Sequence, residues 1–152
     1  MSVFLEATYD EQRSTARIKS AQVSFDNPDF RALPEVFIQF LVYKSRKEMV
    51  EAIAKIHQSR EFDEADAHFM GFERISITSP YILFFHEKKT SISIVAHEIN
   101  HLAIDVFAIK GKSLGGAIDN ETHETMADLI EAVTRTFWDW YGGGKKKVTA
   151  LV

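Results

Sequence analysis

The sequence predicts an α+β domain in which a small, mostly antiparallel sheet packs against one short helix and two long C-terminal helices. Two observations lead to this prediction. In the first part of the chain, short apolar or alternating stretches end at turn residues, which is typical of strands. In the second part, two long stretches have apolar residues at helical spacing and are separated by a loop that contains Gly115 and Gly116.

Strands are predicted at four places. Val3–Thr8 and Ala16–Phe25 partly alternate polar and apolar residues, the period of a strand with one buried face. Val36–Tyr43 is apolar and aromatic between turn residues, as in a buried strand. After the polar stretch Glu61–Phe72, the segment 75–85 around its proline predicts one or two strands at a sheet edge.

Three helices are predicted. A Ser-x-x-Glu capping box at Ser45 precedes Lys47–Gln58, in which apolar residues recur at helical spacing. Ser91–Lys110 contains no proline or glycine and is apolar around most of its circumference, so we expect this helix to run through the core. Glu121–Tyr141 has an apolar stripe on one side and forms the second long helix.

Length and composition fit one domain, over residues 1–141, followed by a flexible Gly/Lys tail over 142–152. The chain has 152 residues, a net charge of -4 and no cysteine, which excludes disulfides, thiolate metal sites and cysteine nucleophiles. No secretory signal or membrane-length apolar run is present, so the cytoplasm is the expected location. The net charge disfavours nucleic acid, and Lys145–Lys147 is best explained as a solvated tail.

The first long helix contains the pattern HExxH, formed by His97, Glu98 and His101. Residues four apart on a helix project from the same face, so both imidazoles can bind one Zn²⁺ through bonds of roughly 2.0 to 2.1 Å. Glu98 is rotated away from them, where a carboxylate can act as general base towards a water on the metal. The alternative is a metal-free pair of surface histidines, satisfied by carboxylates or water.

A zinc site needs a third protein ligand, and the second long helix offers Glu121, His123 and Glu124. We favour Glu124 because Asp128 lies one turn later on the same face, where its carboxylate can orient a zinc-bound imidazole. These acidic residues also have the spacing of a solvated helix face, which is the competing interpretation.

The pattern of His97, Glu98 and His101 followed by Glu124 and Asp128 resembles the zincin metallopeptidases of the gluzincin kind, whose downstream motif reads ExxSD or ExxxD. The resemblance implies a zincin-like fold, with Glu124 as third zinc ligand and Asp128 behind a histidine ligand. Ala127 stands where the family often has serine. The chain is also similar to small stand-alone peptidase-like proteins of phage genomes. The resemblance covers residues 67–131.

Other polar residues near this motif have structural explanations. His68 and His86 are each more typical of structural or exposed histidines than of ligands. Asp105, one turn after His101, is interpreted as a polar position where the helix meets solvent. The resemblance implies that Tyr81–Phe85 is an edge strand to which a substrate peptide can add, and an inner strand with both neighbours is the alternative.

The sequence therefore predicts a zinc-dependent metallopeptidase that acts on protein or peptide substrates, with no membrane partner. Its metal ligands are His97, His101 and Glu124, and Glu98 is the catalytic base. The competing hypothesis is a zincin-fold binding or accessory protein whose metal is structural or vestigial. The substrate, the oligomeric state and the residue that stabilises the oxyanion are left open.

Overall fold

The structure is a computed structural model that describes residues 3–13, 16–25, 36–71, 80–113 and 120–142, with the backbone alone for 3–13, 109–113, 120 and 121. Within these residues the chain forms an α+β fold with one mixed five-stranded sheet and three α-helices. The predicted fold class is therefore confirmed at the level of α+β. The predicted strand residues Ile75 and Ile77, the Gly-rich loop and nearly all of the predicted tail lie outside the described residues.

The sheet has the order β1-β2-β3-β5-β4. Its strands are β1 Val3–Arg13, β2 Ala16–Phe25, β3 Val36–Tyr43, β4 His68–Met70 and β5 Tyr81–His86. The β3–β5 pair is parallel, and the other described pairs are antiparallel. The sheet is thus mixed. Most of its described pairs are antiparallel, in agreement with the predicted mostly antiparallel sheet.

Strand β5 lies inside the sheet, between β3 and β4. The prediction that the Tyr81 strand forms an edge is wrong. Among the described strands, the edge next to β5 belongs to β4, a three-residue strand within the stretch that was interpreted as polar. A strand this short carries too little alternation to be recognised from its sequence.

Three helices cover the sheet, α1 Arg46–His57, α2 Ile92–Ser113 and α3 Asn120–Tyr141. The first is capped by Ser45, whose side chain accepts a hydrogen bond from the backbone N–H of Glu48, as the capping box predicted. The bounds of all three helices lie within a few residues of those predicted.

The helices lie on two sides of the sheet. Alternate residues of β3 and β5 face the larger core, shared with α2 and α3, and include Phe40, Leu83 and Phe85. Residues of the opposite face, such as Phe84, pack with Met49 of α1 in a smaller core. The sheet is therefore the middle of three layers.

Helix α2 packs on the larger core through one stripe only. Its buried residues at helical spacing are Val95, Ile99, Leu102, Ala103 and Val106. On the outward side, His97, His101 and Ile104 are exposed. The expectation of a helix that runs through the core is wrong, because apolar residues on its outward side, such as Ile92 and Ile104, are exposed. This orientation decides where the candidate site lies.

Helix α3 is held by aromatic packing over β1, β2 and β3. The ring of Phe137 contacts the ring of Phe40 with centroids 5.3 Å apart. The Arg17 guanidinium of β2 lies 5.2 Å from the ring centroid of Trp140. The aromatic residues near the end of α3 thus complete the larger core.

Among the described residues, none of the helices combines the length and the hydropathy needed to cross a bilayer.

Candidate metal centre

Helix α2 brings the two histidines of the HExxH motif together. The Nε2 atoms of His97 and His101 lie 3.1 Å apart, and their ring centroids are 4.8 Å apart. Two nitrogens bound tetrahedrally to one zinc ion at about 2.0 to 2.1 Å are separated by about 3.3 to 3.4 Å. A small rotation of either ring is therefore enough for both atoms to bind one ion. The same separation also suits an N–H···N hydrogen bond between neutral imidazoles.

The histidine pair lies on the rim of α2 that faces the edge strand β4. The ring of His101 is parallel to that of Phe69, with centroids 6.2 Å apart. Phe69 in turn stacks on Tyr81 of β5, with centroids 5.8 Å apart. These contacts fix the position of the His101 ring, while both histidines remain open to solvent.

Glu98 points more towards the core than the two histidines. Its side chain is only 7% exposed. Burial raises the pKa of the Glu98 carboxyl to about 7, because the charged form is poorly solvated there. One step along a helix is a rotation of about 100°, which accounts for a buried glutamate next to an exposed histidine. The predicted offset of Glu98 from the histidines is present in the structure.

Asp105 lies deeper in the structure than its sequence position predicted. It is 2% exposed, so the prediction that it meets solvent is wrong. Its Oδ2 atom lies against Gly71, where an added Cβ would be 2.5 Å from that oxygen and 2.5 Å from the Phe69 ring. A side chain at position 71 would therefore force the Phe69 ring or the Asp105 carboxylate to move. In the sequence, the spacing of four residues between His101 and Asp105 could have indicated that Asp105 lies on the same side of the helix as the candidate site.

No three His, Asp or Glu side chains in the described part of the chain come together closely enough to hold a metal ion. The buried stripe of α3 includes Thr122, Thr125 and Leu129. Glu124 is about 200° around the helix from Thr122, and it is exposed. The structure does not bring Glu124 together with the two histidines. Its role as third zinc ligand therefore stays a prediction.

Within the described residues, His123 and Asp128 of α3 are also not brought together with the histidines. His123 is exposed and Asp128 is half-buried. The side chain of Glu121 lies outside the described residues. The arrangement of the layers gives a reason, because α3 contacts β1, at the end of the sheet opposite to β4, whereas the stacking of His101 on Phe69 orients the pair towards β4.

Comparison with known proteins adds no relative. No protein-family model, curated protein or solved structure matches this chain. The resemblance to zincin metallopeptidases therefore rests on the motif residues alone. What these residues can do chemically follows from their positions in the structure.

The two other histidines noted in the sequence lie on the α1 side of the sheet. His68 of β4 is buried and its Nε2 atom lies 3.0 Å from that of His57. His86 of β5 is 3% exposed, and within the described part of the chain neither ring nitrogen has a hydrogen-bond partner. Its Nε2 atom is 3.8 Å from the Asp66 carboxylate. Burial lowers the pKa of His86 below its ordinary 6.5, although Asp66 opposes this shift.

His86 should make the protein sensitive to acid. The folded protein binds a proton at His86 more weakly than the unfolded chain does, so the free energy of unfolding falls as pH drops below about 6.5. We expect His86→Gln to lose less stability than the wild type between pH 7.5 and pH 5 in urea unfolding. His123→Gln, which removes an exposed histidine, is the control. Equal pH dependence in wild type and His86→Gln would contradict this assignment.

Proposed function

We propose that this protein is a zinc-dependent, metallopeptidase-like hydrolase, with the metal held by His97 and His101. The observation that carries the proposal is the convergence of the two Nε2 atoms to 3.1 Å on the exposed side of α2. The nitrogen donors suit zinc, since imidazole is one of its common ligands. Glu98, next to His97 in the chain, supplies the carboxylate that hydrolysis needs.

The residues of the site have separate tasks in this proposal. His97 and His101 would hold the zinc ion, which when bound would supply a Lewis acid that polarises a substrate carbonyl and lowers the pKa of water to about 7. The Glu98 carboxylate accepts the proton of the attacking water and returns it to the leaving amine. Phe69 holds the ring of His101 in place by stacking. Hydrolysis thus requires the ionised form of Glu98, which a neighbouring cation favours.

The surroundings of the pair suit a catalytic rather than a closed site. Catalytic zinc keeps one position open for water or substrate, whereas structural zinc has four protein ligands. Both histidines are exposed, and the short edge strand β4 lies beside them. An extended peptide is therefore a reasonable substrate, and the edge strand that it would meet is β4 and not β5.

A second candidate function is a metal-binding accessory protein without peptidase activity. It is favoured by the lack of a third His, Asp or Glu beside the histidine pair in the described residues. A metal held by two imidazoles alone binds weakly. A site that binds metal without hydrolysing peptides would have a binding or structural role. The experiments on Glu98 and Glu124 separate the two candidates.

Removal of either histidine should weaken zinc binding at this site. We expect the full chain to bind about one zinc ion at the α2 pair, measured by zinc titration and metal analysis. His97→Ala and His101→Ala should each weaken that binding at least tenfold, roughly 1.4 kcal/mol. His123→Ala is the matched control, because it is exposed on α3. Unchanged zinc binding in a His97→Ala, His101→Ala double variant would contradict the site.

Glu98→Gln should keep zinc and lose hydrolysis. The amide has nearly the shape of the carboxyl but cannot accept the proton, so we expect at least a hundredfold loss of rate. The assay follows cleavage of fluorescently labelled casein with zinc present, and Glu131→Gln on α3 is the control for an exposed glutamate. Hydrolysis that survives Glu98→Gln would refute the assigned base. Wild-type protein that binds zinc but cleaves nothing would favour the accessory function.

Glu124→Gln tests the third ligand. If α3 supplies that ligand when zinc binds, the substitution should weaken zinc affinity at least tenfold, while Glu131→Gln on the same exposed side of the helix leaves it unchanged. Equal affinity in these two variants would exclude Glu124. The same titration of Glu121→Gln and His123→Ala then tests the other two candidates.

A further inference from the structure

The opposite face of the sheet carries a second pair of converging histidines. We propose that His57, at the end of α1, and His68, on β4, form a second transition-metal site, separate from the HExxH motif. Their Nε2 atoms lie 3.0 Å apart, with ring centroids 5.1 Å apart. This separation is close to the one in the α2 pair, and a small ring rotation brings both atoms to the distance that one shared ion needs.

The rings of the second pair are held in place by aromatic neighbours. The ring of Phe62 lies with its centroid 4.2 Å from that of His68 and 4.9 Å from that of His57. Phe84 of β5 borders His68 on the other side, with centroids 5.9 Å apart. A site whose ligands are already ordered loses less conformational entropy when an ion binds. The pair is therefore better prepared for binding than two exposed histidines.

Local charge favours a cation at this position. His57 is the last residue of α1, where the helix carries partial negative charge. Residues 58–67, which join the two histidines, contain one arginine and four acidic residues, Glu61, Asp63, Glu64 and Asp66. The arginine of this segment, Arg60, pairs with Glu51 and Asp63. Arg46 approaches Asp66 and Glu64, and Lys55 is a further cation in the last turn of α1, so the excess negative charge is reduced but not cancelled.

The chemistry of the ligands indicates which metal binds best. Two imidazoles are the only His, Asp or Glu ligands that the described residues bring together here, so water completes the coordination. Such a site follows the general order of divalent affinities, in which Cu²⁺ exceeds Ni²⁺ and Zn²⁺. A bound ion would join the end of α1 to strand β4, two consecutive elements that residues 58–67 connect.

Copper titration of the full chain carrying His97→Ala and His101→Ala tests the proposal, because these substitutions remove the α2 pair. We expect this double variant to bind about one Cu²⁺ per chain, with two imidazole nitrogens visible in the electron paramagnetic resonance spectrum. Adding His57→Ala should weaken the binding at least tenfold and remove that spectrum. Adding His68→Ala should have the same effect. Adding His123→Ala, the matched control, should change neither.

The proposal is overturned if the double variant binds no Cu²⁺, or if His57→Ala and His123→Ala have the same effect on binding. Because His68 is buried, circular dichroism must show that the His68→Ala variant folds. If that variant does not fold, the His57→Ala variant still tests the proposal, because His57 is only half-buried. Copper should also raise the melting temperature of the double variant, but not that of its His57→Ala derivative. The outcome is independent of the proposed hydrolase, whose histidines are absent from every protein tested.

Discussion

The packing of one apolar stripe of α2 against the sheet determines the geometry of the candidate site. Once Val95, Ile99 and Leu102 are buried, the rotation of the helix is fixed. His97 and His101 must then lie outward, while Glu98 and Asp105 turn towards the core. The exposure of the imidazoles and the burial of the glutamate, with its raised pKa, are both consequences of that single contact surface.

The sequence was a good guide where periodicity is strong and a poor one where an element depends on distant partners. The strands Ala16–Phe25 and Val36–Tyr43 and the capping box at Ser45 agree with the structure because each is a local signal. The edge position of β4 could not be predicted, since only pairing with β5 makes three residues a strand.

In the candidate site, too, local spacing was predictable from the sequence and contacts between separate elements were not. A spacing of four residues on a helix is local, so the meeting of His97 and His101 was predictable. Whether an acidic residue of α3 meets them depends on how two helices are placed on the sheet, which the motif does not encode. The His57 and His68 pair was missed for a similar reason, because it forms between a helix end and an edge strand.

X-ray diffraction from crystals soaked in zinc, recorded on both sides of the zinc absorption edge, tests the central claim most directly. We predict an anomalous peak between the Nε2 atoms of His97 and His101, about 2.0 to 2.1 Å from each, with the Glu98 carboxyl beside the ion and not bound to it. A map without a peak at this position, or with the two rings turned apart, would contradict the account.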